Sequence, residues 1–147
     1  MNIAATILLL CMIGVATYIA KRFPDSISEI AYIFPKWLFT ILIGILAILV
    51  TPGIIAIVSI NYQWLAFLVI AGLWCVASSP YYKTEEIKLH YFGAILCFVS
   101  ALAIIIMTKP IYLIIWVLYP LCLFKKTRKW WLMIAECICF LELMLLI

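Results

Sequence analysis

From Ile3 to Ala20 the sequence runs 18 residues without a charged side chain. Stretches of that kind recur to the end of the chain, divided by short polar islands. About 20 mostly apolar residues form one helical crossing of a bilayer, so this repetition prescribes a bundle of transmembrane helices. Composition agrees. The chain is 70% apolar and 11% charged, with a mean hydropathy of +1.32, where soluble domains are about 45–50% apolar and about 25% charged. A globule of 147 residues has too much surface for its volume to bury that excess. A soluble domain, a disordered chain and a nucleic-acid binder are all excluded. At this length there is room for at most about six spans, and for no soluble domain on either side.

The first run is followed at once by Lys21-Arg22, whereas a cleaved signal peptide carries its positive charge in front and ends in small residues. It reads as a retained first helix, 3–20. Residues 23–35 form a polar interfacial segment. Within it Pro24-Asp25-Ser26 offers a turn and a cap, and Glu29 stands three residues after Ser26 in a capping-box pattern. A short interfacial helix from Ile27 to Phe34 is expected. The second span, 36–58, contains Thr51-Pro52-Gly53, so it either turns at Pro52 or is kinked there and turns at Asn61; the second reading gives better-balanced spans. A third span covers 63–78 and turns at Ser79-Pro80. A fourth, capped by Thr84, covers 88–107. A fifth covers 110–124, and a sixth covers 130–147.

Six spans put loops one, three and five on one side. Those loops carry Lys21, Arg22, Lys36, Lys83, Lys88, Lys125, Lys126, Arg128 and Lys129, against Lys109 alone on the other. Cytoplasmic loops carry such an excess, so both termini are expected outside. Trp37, Tyr81, Tyr82, Trp130 and Trp131 beside the basic loops suit an interfacial belt. The six cysteines, Cys11, Cys75, Cys97, Cys122, Cys137 and Cys139, lie in apolar runs without a Cys-x-x-Cys, and read as small packing residues.

Ionisable groups inside a membrane are costly, about 2.5–3.5 kcal/mol at mid-helix on insertion scales. Glu136 falls about 9 Å into the last span by helical rise and needs a partner there. Glu142 lies six residues on, about 120° around the helix, where it reads as interfacial and solvated. The only histidine, His90, opens span four. Gly93, Ala94, Cys97 and Ala101 follow at helical spacing on its side, a small-residue face of the kind that packs inside a bundle. His90, Glu136, Ser26, Ser28 and Glu29 all belong to the cytoplasmic half, so a polar pocket facing the cytoplasm is a geometric option. The plainer reading makes His90 interfacial, Glu136 hydrogen-bonded to a neighbouring helix, and Ser26 and Ser28 caps. One histidine does not make a bis-histidine haem, and no metal-ligand spacing, phosphate loop or dinucleotide turn is present. No cofactor is therefore expected. Lys125, Lys126, Arg128 and Lys129 can meet an anionic headgroup at the cytoplasmic face, although positive-inside anchoring already explains them.

Ser26-Ile27-Ser28 with Tyr32 four residues after Ser28, then Pro80, then His90-Tyr91 with Ala94 and Phe98, resembles a group of uncharacterised small bacterial multi-span proteins with an SIS element followed by a tyrosine and an HY-x-x-A element followed by a phenylalanine. The likeness runs from about Pro24 to Ala103 and carries no established activity; it implies a bacterial inner membrane. More distantly the chain resembles the CREST superfamily of membrane hydrolases, which includes alkaline ceramidases and uses a serine, an aspartate and several histidines around a metal. Ser26 or Ser28 and His90 match that set. No further histidine and no intramembrane aspartate do, so the resemblance implies a degenerate site without metal. The expectation is a structural, accessory or lipid-interacting membrane protein without self-contained catalysis, whose partners are the bilayer and either a second copy or another membrane protein. The alternative is a hydrolase-like enzyme or small proton-coupled carrier that uses His90 and Glu136.

Overall fold

The computed structural model describes residues 2–82, 86–118 and 131–147. Among them the chain is all-helical, with α1 (Ile3–Ala20), α2 (Ile30–Ile33), α3 (Lys36–Ile57), α4 (Trp64–Ser78), α5 (Glu86–Thr108), α6 (Leu113–Leu118) and α7 (Trp131–Leu146), and without strands. Four stretches of the described residues are long and apolar enough to cross a membrane: Ile3–Ala20, Lys36–Ile57, Ile60–Tyr81 and Lys88–Thr108. The 16 described residues of α7 rise about 24 Å. The expected fifth span enters the described residues only through α6 and the turn at Pro110–Tyr112 that precedes it. Thr84, Cys122 and the basic run Lys125, Lys126, Arg128 and Lys129 lie outside the described residues.

Local chemistry explains where the helices begin and end. The Asn2 side-chain oxygen accepts from Ala5 N at 3.1 Å and caps α1. At its other end Lys21 closes α1 in the left-handed region, φ 53°, which glycine usually occupies. The interfacial helix is shorter than expected. Residues 26–29 form successive turns, and Pro35 confines α2 to one helical turn before starting α3. Helix α3 continues through Pro52 and stops at Val58, so Thr51-Pro52-Gly53 is a helix interior and not a turn. Pro52 removes one backbone donor. Nearby, Thr51 Oγ1 donates to Ala47 O at 2.6 Å, and Asn2 Nδ2 donates to Leu49 O at 2.5 Å.

Hydrogen bonds between elements show how the helices alternate. At one end Lys36 Nζ donates to Pro80 O at 2.6 Å and Thr40 Oγ1 to Ala77 O at 2.7 Å, satisfying carbonyls that the end of α4 leaves open. At the other end Asn2 N donates to Met144 O at 2.9 Å, joining the start of α1 to the end of α7. Lys21, Arg22, Lys36 and Lys88 thus share one end of the bundle and Lys109 the other. The core runs between these ends, with Leu9 and Met12 of α1, Phe39, Leu46 and Ile54 of α3, and Leu143 of α7 each almost wholly buried.

Helices α4 and α5 approach most closely of all. A Cβ built on Gly72 would lie 2.6 Å from both Cys97 N and Gly93 O, and one on Gly93 would lie 2.7 Å from Gly72 O. Only glycine permits backbones to touch in this way, and small residues are how helices associate where no hydrophobic force separates protein from lipid.

Candidate functional site

Between α5 and α7, at the end that carries the basic residues, lies a cavity of about 660 Å³. Helix α5 contributes His90, Ala94, Cys97 and Ala101 to it, α7 contributes Ala135, Glu136 and Cys139, and Ser26 to Glu29 with Tyr32 close its polar end. By helical rise the lined part of each helix, His90 to Ala101 and Trp131 to Leu143, spans about 16–18 Å. Tyr91, Ile95 and Val99, all more than half exposed, form one stripe along its α5 rim. The cavity is therefore a slot opening sideways, apolar along its length, with polar groups gathered at one end.

The residues singled out in the sequence meet here: Ser26, Ser28, Glu29, His90 and Glu136 all line the slot. What each does locally differs from a catalytic set. Glu136 Oε2 accepts from Ile27 N at 2.5 Å, and Oε1 accepts from Ser28 Oγ at 3.2 Å. The carboxylate caps the first turn of the interfacial segment from another helix, so its charge faces backbone and hydroxyl donors. Ser26 Oγ accepts from Glu29 N at 3.0 Å, the expected half of the capping box. The other half is displaced by one residue, with Glu29 Oε2 accepting from Asp25 N at 2.5 Å. Glu29 also pairs with Arg22, whose guanidinium lies 3.7 Å from Asp25. The hydrogen bond to Glu29, then the charge of Glu29, hold that guanidinium above its ordinary pKa.

His90 has a partner that the sequence did not suggest. Its Nδ1 lies 3.1 Å from Ser79 Oγ, while Ser79 donates to Val76 O at 2.9 Å. A hydroxyl has one proton. With that proton on the Val76 carbonyl, Nδ1 of His90 is the donor to Ser79. Ser79 is buried and does not line the slot, so this serine–histidine contact holds the ring from outside the cavity. Read as part of a turn, Ser79 gave one usable signal: a serine at a helix end commonly bonds back to a preceding carbonyl.

Glu142 corrects an expectation. It is 1% exposed rather than solvated; Oε2 accepts from Trp116 Nε1 at 2.8 Å, and among the described residues Oε1 meets no donor. Trp116 also meets Phe98, which lines the slot, edge to face with ring centroids 5.2 Å apart, joining α5, α6 and α7. No spacing links Trp116 to Glu142, 26 residues apart on separate helices; the buried acid itself was the only hint that a donor was needed. Cys97 and Cys139 are buried free thiols on opposite walls of the slot, and Cys11, Cys75 and Cys137 are also free. Among the described residues no three His, Cys, Asp or Glu side chains come together as a metal site. Comparison with protein-family models, curated sequences and solved structures gave no match.

Proposed function

We propose that this chain is a six-span protein of the bacterial inner membrane, both termini outside, that accommodates a lipid-like molecule in the slot between α5 and α7 and has no catalytic apparatus of its own. The observation that supports this reading is the slot: apolar along its depth, polar at one end and open sideways, the shape that a molecule with a chain and a head requires. Its polar end lies with Lys21, Arg22, Lys36 and Lys88, on the side that the positive-inside rule assigns to the cytoplasm. The basic run Lys125, Lys126, Arg128 and Lys129 is then a contact for anionic headgroups on that side.

An enzyme or proton-coupled carrier built on His90 and Glu136 is the competing reading. Its support is that both line one cavity with Ser26 and Ser28. Against it, Glu136 is engaged by Ile27 N and Ser28 Oγ, and His90 is oriented by Ser79. Native mass spectrometry of protein released from lipid nanodiscs tests the choice, comparing wild type with Ala94→Phe, His90→Ala and Glu136→Gln. Bound lipid that is lost from Ala94→Phe supports the slot as a lipid site. Turnover of a defined lipid by wild type, abolished in His90→Ala, overturns the non-catalytic reading.

A further inference from the structure

The chemistry of the slot's polar end narrows what can occupy it. Among the described lining residues are two carboxylates, Glu29 and Glu136, and no lysine or arginine. Arg22, just before the interfacial segment, is held by Glu29 and Asp25. The side-chain oxygens of Ser26, Ser28 and Glu136 add acceptors, and the Ser28 proton is already committed to Glu136. A phosphate or carboxylate placed here would face like charge in a setting of low dielectric, where a close pair of that kind is strongly disfavoured. A head that donates hydrogen bonds, uncharged or cationic, meets acceptors instead.

The volume sets the other half of the specification. About 660 Å³ is within the size range of a drug-sized ligand, and the apolar lining of α5 and α7 continues over Ile43, Leu73 and Val76, which gives room for one chain and its head. Resting on the lipid-binding reading above, we propose that the slot binds a single-chain amphiphile whose head carries no negative charge and donates hydrogen bonds, seated between Glu136, Ser26 and His90 with its chain running toward Ala101 and Leu143.

The test uses four probes with the same dodecyl chain: dodecylammonium, the glycerol monoester of dodecanoic acid, dodecanoate and dodecyl phosphate. Each is titrated against the full-length protein in phosphatidylcholine nanodiscs and read by native mass spectrometry. The ammonium and the monoester are expected to bind saturably and at least about ten-fold more tightly than the two anions, roughly 1.4 kcal/mol of discrimination. Ala94→Phe, inside the slot, and Val99→Trp, at its exposed rim where folding is not at stake, are both expected to remove that binding. Glu136→Gln is expected to narrow the gap between cationic and anionic probes. If dodecanoate or dodecyl phosphate binds as tightly as the monoester, the proposed head chemistry is wrong while the slot remains a lipid site. If no probe is held, or if both blocking variants bind every probe as wild type does, the slot is not a lipid site and both readings fall.

Discussion

Helix α5 has a different neighbour on each of two faces, and treats them in opposite ways. Toward α4 its backbone comes so close at Gly93 that no side chain fits. Toward α7 it stands off at Ala94 and Ala101, and a cavity remains. Both faces are built from small residues, and Cys97 borders each of them. Small side chains therefore do not by themselves create contact in a membrane. They create an option, which the partner either fills with its own backbone, as Gly72 does, or leaves open. The partner's content decides: α4 offers a glycine, whereas α7 offers Glu136, whose carboxylate is turned toward Ile27 and Ser28 and holds the interfacial segment over the gap.

The largest effect should come from breaking the closed face. Gly72→Leu or Gly93→Leu places a side chain where backbone atoms lie within 2.6–2.7 Å of the new Cβ, and backbone cannot yield as a flexible side chain can. Overpacking of this kind costs about 3 kcal/mol or more. Unfolding of the purified protein in detergent should show either leucine variant as the least stable of the set. If both fold as wild type does, the backbones of α4 and α5 do not touch at Gly72 and Gly93.

Next in size is the tie across the open face. Glu136→Ala leaves Ile27 N and Ser28 Oγ without their acceptor, a loss of about 1–3 kcal/mol for each donor kept from water. Because both donors sit at the end of the bundle, the lower figure applies. Amide exchange should quicken across residues 26–33 and remain unchanged along α4. Uniform acceleration in both places would mean that Glu136 supports the whole bundle, and the contrast between the two faces would lose its meaning. Trp116→Phe should have a comparable but deeper effect. It removes the donor at 2.8 Å from Glu142, the buried acid whose other oxygen meets no donor among the described residues. The cost is again about 1–3 kcal/mol, and it should be recovered in the double variant with Glu142→Leu, which a packing role for the indole alone would not allow.

How much of this could be read in advance differs between the two faces. Hydropathy alone located the described apolar helices to within a residue or two at most ends, because the requirement for internally satisfied backbone leaves a membrane chain few alternatives. Pro52 was correctly placed inside its helix by span length. That His90, Glu136, Ser26 and Ser28 line one cavity was legible as a shared depth, since depth follows from position along a helix. Direction around the helix axis was not legible. Gly93, Ala94, Cys97 and Ala101 looked like one packing face, and the structure divides them between a contact and a cavity. Contacts between distant helices were equally hidden: nothing in the spacing of Ser79 and His90, or of Trp116 and Glu142, announces a hydrogen bond. Lateral helix order is a tertiary property with no period in the sequence.

The smallest expected effect is also the sharpest test of the contrast. Ala94→Leu adds bulk one residue from Gly93, on the same helix and at the same depth, but toward the slot. If the slot is open space, the added methyl groups enter it without displacing backbone. Stability should then stay within about 1 kcal/mol of wild type, as volume changes do where neighbours need not move. Burial of the leucine in the apolar lining even gives a reason for a slight gain. A loss approaching that of Gly93→Leu would mean that α7 closes on α5 in the membrane and that no slot exists there. Equal stability with bound amphiphile displaced would separate two roles for neighbouring residues: Gly93 holds the bundle together, and Ala94 keeps it open.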